Sequence, residues 1–247
     1  MSIDSSRGAV GAAFRTTHWS VVLSARDANH ANSREALAAL CEQYWYPVYA
    51  FIRRKGKSHH EAQDLAQEFF ARFIEKEFLN AVDRDKGRFR TFLLTTVHRF
   101  LCTQWERSQA QKRGGGAVLV TWDAQSAEDR YMQEPAHNLT PERLFDRNWA
   151  SALLTCAMRD LQSEYERAGK AELLEVLQAF IARDAEHGSY STVAERLGMT
   201  EGNARQWAHR IRQRYGQLIR ERIAETVDSD EAVEEELRSL HAALGGA

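Results

Sequence analysis

Proline and cysteine are both scarce in this chain of 247 residues, with three of each. Few prolines leave long stretches free to be helical. Cys41, Cys102 and Cys156 are odd in number and far apart, and each falls within an apolar helical pattern. Buried free thiols in a reducing compartment are therefore expected, and no Cys-x-x-Cys pair occurs. No apolar run approaches the roughly 18 residues needed to cross a membrane, so membrane insertion is not expected. Met1–Phe14 has no basic start followed by an apolar core, so no export signal is expected and a cytoplasmic location follows. Alternating β-branched runs are also missing, apart from a short stretch at 117–121. Helix-period apolar spacing recurs throughout, and the fold is expected to be all-α.

Phosphate-loop and metal motifs are equally absent. The triple glycine 114–116 follows Lys112 and Arg113, with no strand before it and no Lys-Ser/Thr after it. His59, His60 and Glu61 do not form His-Glu-x-x-His, and adjacent helical residues point about 100° apart, so they do not converge on one ion. No catalytic constellation, cofactor or metal site is expected, and the chain does not read as an enzyme.

What is present is charge arranged in blocks. Hydrophobic residues at 43% and charged residues at 28% describe a folded chain, and the net charge of −2 conceals the pattern. Residues 84–113 hold eight Lys or Arg against two acids, and residues 123–146 hold six acids against two arginines. From Arg205 to Arg222 six arginines face only Glu221, whereas residues 223–240 hold seven acids and Arg238. Two basic working surfaces, an acidic linker and an acidic tail are implied.

The elements follow from caps and periodicity. Thr17 can cap a short first helix. A longer one follows Asn32, with Glu35 as its capping-box partner, Pro47 as a kink and Gly56 as its stop. Ser58 with Glu61 marks the next helix. Ala62, Leu65, Phe69 and Phe73 form one apolar row there, and Ala66, Phe70 and Ile74 the row beside it. A fourth helix runs from Phe89 through Leu93, Val97 and Phe100 to Arg113. Thr140-Pro141 starts another, and a further helix spans roughly 171–183. Then Ser189 or Ser191 can cap a short helix, Gly198 breaks it, and Thr200 caps a basic second helix. Two helices joined by a few residues, the second basic, have the layout of a helix-turn-helix that sets its second helix in a DNA major groove. A helical hairpin with a solvated arginine face is the plainer alternative.

Three local matches, in order and suitably spaced, carry a resemblance over most of residues 30–222. They are residues 61–70 (EAQDLAQEFF), residues 87–93 (GRFRTFL), and Val193-Ala194-x-x-Leu197-Gly198-Met199-Thr200-Glu201-Gly202 running into His209-Arg210-x-Arg212. The chain resembles a bacterial RNA polymerase sigma factor of the extracytoplasmic-function (ECF) type of the sigma-70 family. It departs from the usual family pattern at Phe92-Leu93, where Trp-Leu is frequent, and at Thr103, where an Asp is frequent.

The resemblance implies a region 2-like domain over 14–113, a linker over 114–139, a region 4-like helix-turn-helix domain over 140–227 and an acidic tail over 228–247. It implies that Asp64, Gln67, Glu68 and Arg72 face core polymerase. Arg88, Arg90, Arg99, Trp105, Arg107, Lys112 and Arg113 would serve the −10 element and melting, where unpaired bases need stacking faces and the backbone needs cations. Asn203, Arg205, Gln206, His209 and Arg210 would read the −35 element, with Arg212 and Arg214 on phosphates. Trp207 is expected to pack rather than touch a base. Core RNA polymerase and promoter DNA are the expected partners, with an anti-sigma protein or a regulatory kinase as a further class. The acidic segments are expected to compete for the basic DNA-binding helices until polymerase binds. A conventional helix-turn-helix regulator with a sensing or dimerising N-terminal half is the alternative.

Overall fold

Residues 43–52 are buried without a break, and the helix that carries them is the centre of the molecule. The computed structural model describes residues 31–74, 88–110, 124–134, 139–181, 187–227 and 229–245. Among these, all regular structure is helical. Helix α1 spans Ala31–Arg54 and includes both Asn32, expected just before it, and Pro47. A helix apolar on every side must be covered on every side, and α1 is packed against α2, α4 and α5. Gly56 closes it at φ +88°, a conformation that costs a residue with a Cβ but not glycine.

Helix α2 (His59–Ile74) opens on the expected capping box. The Ser58 N–H donates to Glu61 Oε2 at 3.0 Å, and the Glu61 N–H returns to Ser58 Oγ at 3.4 Å. Its apolar rows bury Ala62, Ala66, Phe69, Phe70 and Phe73. Helix α3 (Phe89–Ala110) buries Phe89, Leu93, Val97 and Phe100 at the expected period. Aromatic edges knit the three helices together: Tyr44–Phe89, Phe73–Phe89 and Phe69–Phe100 have centroids 5.0, 5.9 and 5.6 Å apart.

The linker departs from expectation. Helix α4 (Ala124–Gln133) stands where the sequence shows no sustained period. Its polar side chains account for it: Tyr46 donates to Glu134 at 2.7 Å, and Tyr49 and Arg53 both donate to Glu128. The helix is held by partners on α1, and such contacts leave no apolar repeat behind.

Helix α5 (Pro141–Arg167) starts as expected, with Thr140 Oγ1 accepting from the Arg143 N–H at 3.3 Å and Pro141 at the first position. It then crosses two cores. Leu144, Phe145, Trp149 and Leu153 complete the core of α1–α3, whereas Ala157 and Leu161 belong to a second core with the C-terminal helices. Helix α6 (Ala171–Leu177) and a 3₁₀ turn at Gln178–Phe180 replace the single helix expected over 171–183. Helices α7 (His187–Arg196), α8 (Glu201–Ala224) and α9 (Asp230–Gly245) follow. Helix α7 runs from His187, so Ser191 lies inside it rather than capping it.

The acidic tail is a second correction. Expected only as a block of acidic charge, it forms α9, which packs on α5 and α8 and buries Val233, Glu236 and Leu240. Of the cysteines, Cys41 is buried, its thiol pushed up to about 12 by burial, but Cys156 is half-buried and Cys102 is exposed, against expectation. The expected helix at Thr17, the glycine run 114–116 and the stretch at 117–121 lie outside the described residues.

Candidate nucleic-acid interface

Helix α7 ends in a Schellman motif that the Leu-Gly-Met-Thr sequence dictates. The Gly198 N–H donates to Glu195 O at 3.3 Å and the Met199 N–H to Ala194 O at 2.9 Å, with Gly198 at φ +62°. Thr200 then caps α8, its Oγ1 accepting from the Asn203 N–H at 3.3 Å. Ala204, Ala208 and Ile211 face the second core, where small side chains let α8 approach α7 closely. That register turns Asn203, Arg205, Gln206, His209 and Arg210 to solvent together, and all five are exposed.

The exposed cations are oriented by neighbours. Arg205 Nη2 lies 2.5 Å from Glu201, one turn earlier, and its guanidinium stands 5.5 Å from the Tyr190 ring of α7. The Arg210 guanidinium lies 5.2 Å from the Trp207 ring and Lys170 Nζ 4.7 Å from it. Trp207 is half-buried on the second core, which agrees with a packing role and adds a face for two cations.

The rest of the arginine run behaves differently. Arg212 is half-buried. Arg214 turns to α5, where Nη2 and Nε meet Glu164 at 2.5 and 2.9 Å, and Nη1 meets Glu221 at 3.1 Å. The Glu164 hydrogen bonds hold the Arg214 pKa well above its ordinary range and the Glu164 pKa below its own. Arg214, which the resemblance sets on a DNA phosphate, here ties α8 to α5. Arg222 makes a two-bond pair with Asp160, both at 2.7 Å, and Arg220 pairs with Glu234 of α9 at 2.5 Å. A count of arginines in sequence cannot separate these from the reading face. Their position on the helix, about three or more turns after its start, can.

On α2, Asp64 is exposed and Gln67 half-buried. Glu68 bonds Arg72 at 2.5 Å and accepts from Gln104 of α3, and the Arg72 guanidinium lies 5.6 Å from the Phe100 ring. Glu68 and Arg72 thus sit on the α2–α3 seam, with Asp64 and Gln67 beside it.

The start of α3 carries the largest departure. Arg88 pairs with Glu235 and lies 3.3 Å from Glu236 Oε1. Arg90 meets Glu236 at 3.1 and 3.2 Å, pairs with Asp146, and stacks 4.5 Å from the Trp149 ring. Burial works against the Arg90 charge, but the Glu236 hydrogen bonds and the two carboxylates outweigh it and raise its pKa. Burial raises that of Asp146. Arg88 and Arg90, which the resemblance assigns to DNA, stand in intramolecular ion pairs in this conformation. Arg99 is exposed on the same helix. Trp105 and Arg107 fall in its last turns, where only the backbone is described, and Lys112 and Arg113 lie outside the described residues.

Fold and site together define a helical DNA-binding protein of the helix-turn-helix class, with a second helical unit ahead of the reading domain. Residues 40–111 match the family model of sigma-70 region 2, and residues 175–214 that of sigma-70, region 4. The chain is similar to the ECF RNA polymerase sigma factor SigE of Mycolicibacterium smegmatis, 25% identical over 190 residues, which cover 77% of this chain and 64% of that protein. It thus spans less than two thirds of that relative's length. No solved structure gives a significant match. Residues 40–111 and 175–214 thus match regions 2 and 4 of the sigma-70 family, in that order along the chain.

Proposed function

We propose that this chain is an alternative sigma factor: it binds core RNA polymerase, directs it to −35 and −10 promoter elements and helps melt the DNA for initiation. The observation that carries the reading is the order of the two units. A region 2 match precedes a helix-turn-helix whose second helix exposes Asn203, Arg205, Gln206, His209 and Arg210 on one face. Arg and Gln at a helix start reach base edges with two hydrogen bonds each, which is what direct readout of a −35 element needs. Asp64, Gln67, Glu68 and Arg72 would meet core polymerase. Arg99, Trp105, Arg107, Lys112 and Arg113, joined by Arg88 and Arg90 when freed, would serve the −10 element.

On this reading nucleotidyl transfer belongs to the polymerase, and the chain supplies recognition and no catalytic step of its own. The place of work is the cytoplasm. Among the described residues no helix is long and apolar enough to cross a membrane, and no group of His, Cys, Asp and Glu could hold a metal ion. An anti-sigma protein or a regulatory kinase is the class of further partner we propose. The region 2 match disfavours a conventional regulator, which needs no polymerase-docking unit.

The test is transcription from a pool of genomic promoter fragments by sigma-free core polymerase with the purified protein. Specific starts sharing one −35/−10 pair are expected. Tight duplex binding by the protein alone, with no binding to core, would return the chain to the regulator class.

A further inference from the structure

Helix α9 reaches back across the molecule to the first turn of α3. The Phe89 N–H donates to Thr226 O at 3.2 Å, which fixes the approach to α9 beside the start of α3. Beyond it, Glu235 and Glu236 meet Arg88 and Arg90. The Glu236 side chain is 2% exposed and that of Arg90 12%, so this pairing is sealed from water. Arginine binds a carboxylate and a phosphate with the same fork of two parallel N–H donors. Two adjacent guanidiniums at the head of a basic helix are thus occupied by carboxylates where phosphates would sit.

We infer that α9 is an intramolecular strap over the nucleic-acid-facing start of α3, and that it must leave before Arg88 and Arg90 hold a DNA strand; the inference rests on the sigma-70 reading above. It also relocates the expected masking. The acidic tail covers the first turn of region 2's basic helix, while Arg205, Gln206, His209 and Arg210 of the reading helix stay exposed.

Three features make the strap releasable. Its apolar hold is small: Val233 and Leu240 are buried, and Ala232, Leu237 and Ala243 only partly. The ion pairs that complete it lose desolvation free energy as they gain attraction, so their net hold is modest. Incoming phosphates satisfy the same arginines, so opening trades one set of partners for another. Once free, α9 carries five acids against Arg238, and that charge keeps it off DNA.

The test uses the full chain, with fluorescein-labelled oligo(dT) as the single-strand probe. Hydrogen exchange in residues 230–245 of the wild-type protein should speed up when the strand saturates it. Glu235→Gln/Glu236→Gln should bind the strand about tenfold more tightly, as expected when roughly nine molecules in ten are closed at rest. The salt slope of binding should steepen by about 1.4, roughly 0.7 for each arginine released onto a single strand. Unchanged exchange at saturating oligo(dT) would overturn the strap. So would equal affinities of the wild type and a variant whose circular dichroism is native. Absence of strand binding by both proteins overturns it as well. Should the double variant fail to fold, the wild-type exchange measurement decides. Core polymerase binding, run in parallel, judges the sigma reading separately: loss of that binding with a DNA-linked opening of α9 would sink the first reading and keep the second.

Discussion

Arg53 of α1 and Glu128 of α4 form a two-bond ion pair, Nε to Oε2 at 2.9 Å and Nη2 to Oε1 at 2.7 Å. Tyr49 donates to the same carboxylate, and His59 Nδ1 lies 3.5 Å from it. One acidic side chain thus holds the linker helix to α1 and to the start of α2, the helix that the resemblance assigns to polymerase docking.

A pH dependence follows. The Arg53 hydrogen bonds, helped by Tyr49, hold the Glu128 carboxyl below the ordinary range despite partial burial. A depressed native pKa gives stabilisation that is complete above the unfolded value of about 4.3 and is lost as pH falls through the native one. Thermal unfolding followed from neutral to acid pH should show a loss of stability on the acid side. Glu128→Gln should flatten that acid limb and lower stability at neutral pH; an unaltered limb would mean that the pair contributes nothing measurable.

Arg210 and Arg214 lie one helical turn apart and should behave oppositely. Arg214→Ala removes the bonds to Glu164 and Glu221 and should cost about 1 kcal/mol, since all three side chains are about a third exposed and solvent screens them. Arg210→Ala should leave thermal stability within about 0.5 kcal/mol of wild type and weaken duplex binding at the −35 element. Melting curves beside promoter-fragment titrations separate the two.

The turn of the helix-turn-helix should be sensitive at two positions. Thr200→Ala removes the cap on Asn203 N–H and should cost about 1 kcal/mol. At Gly198 an added Cβ meets nothing within 4 Å, so the cost of Gly198→Ala is the backbone conformation alone, about 1–2 kcal/mol. Equal stability of Gly198→Ala and wild type in urea denaturation would remove the strain argument.

These elements also show which parts of the structure are readable from residues. Caps are local, so Ser58 with Glu61, Thr140 with Pro141, and Gly198 with Thr200 mark helix ends where the structure has them. Periodic apolar rows identify the buried faces of α2 and α3. Helix α4 is silent because its anchors are polar and lie 75 to 88 residues away. Helix α9 is legible in part: Val233, Leu237, Leu240 and Leu244 keep the helical period, but the five acids of the helix, with Glu225 and Asp228 before it, read as solvation. What no local rule shows is the partner of a charge. Arg90 and Arg99 look alike in sequence, and only tertiary packing separates them.

On α2, Asp64 and Glu68 provide a contrast between docking and folding. Asp64 is exposed with one face to solvent, whereas Glu68 holds both Arg72 and Gln104. Asp64→Ala should weaken binding to core polymerase with melting unchanged. Glu68→Ala should lower both, the stability by about 1 kcal/mol, because it loosens the α2–α3 seam. Pull-down on immobilised core beside differential scanning calorimetry makes the distinction; equal core binding by Asp64→Ala would move the docking face elsewhere on region 2.

Arg90 and Arg99 close the argument on α3. Removing the Arg90 guanidinium leaves the nearly inaccessible Glu236 carboxylate with Arg88 alone and strips the cation from the Trp149 face. Loss of one partner of a buried pair is costly, but the cost is capped by opening of α9, which solvates Glu236, so Arg90→Ala should destabilise the protein by about 1 kcal/mol. In a chain of this size that lowers Tm by roughly 2–4 °C. Arg99 is exposed, and Arg99→Ala should leave Tm within about 2 °C. Its loss should fall instead on promoter opening, read as permanganate reactivity of unpaired thymines at the −10 element with core polymerase present. A stable Arg90→Ala protein would mean that Arg88 satisfies Glu236 alone, and undiminished opening by Arg99→Ala would remove Arg99 from the melting surface.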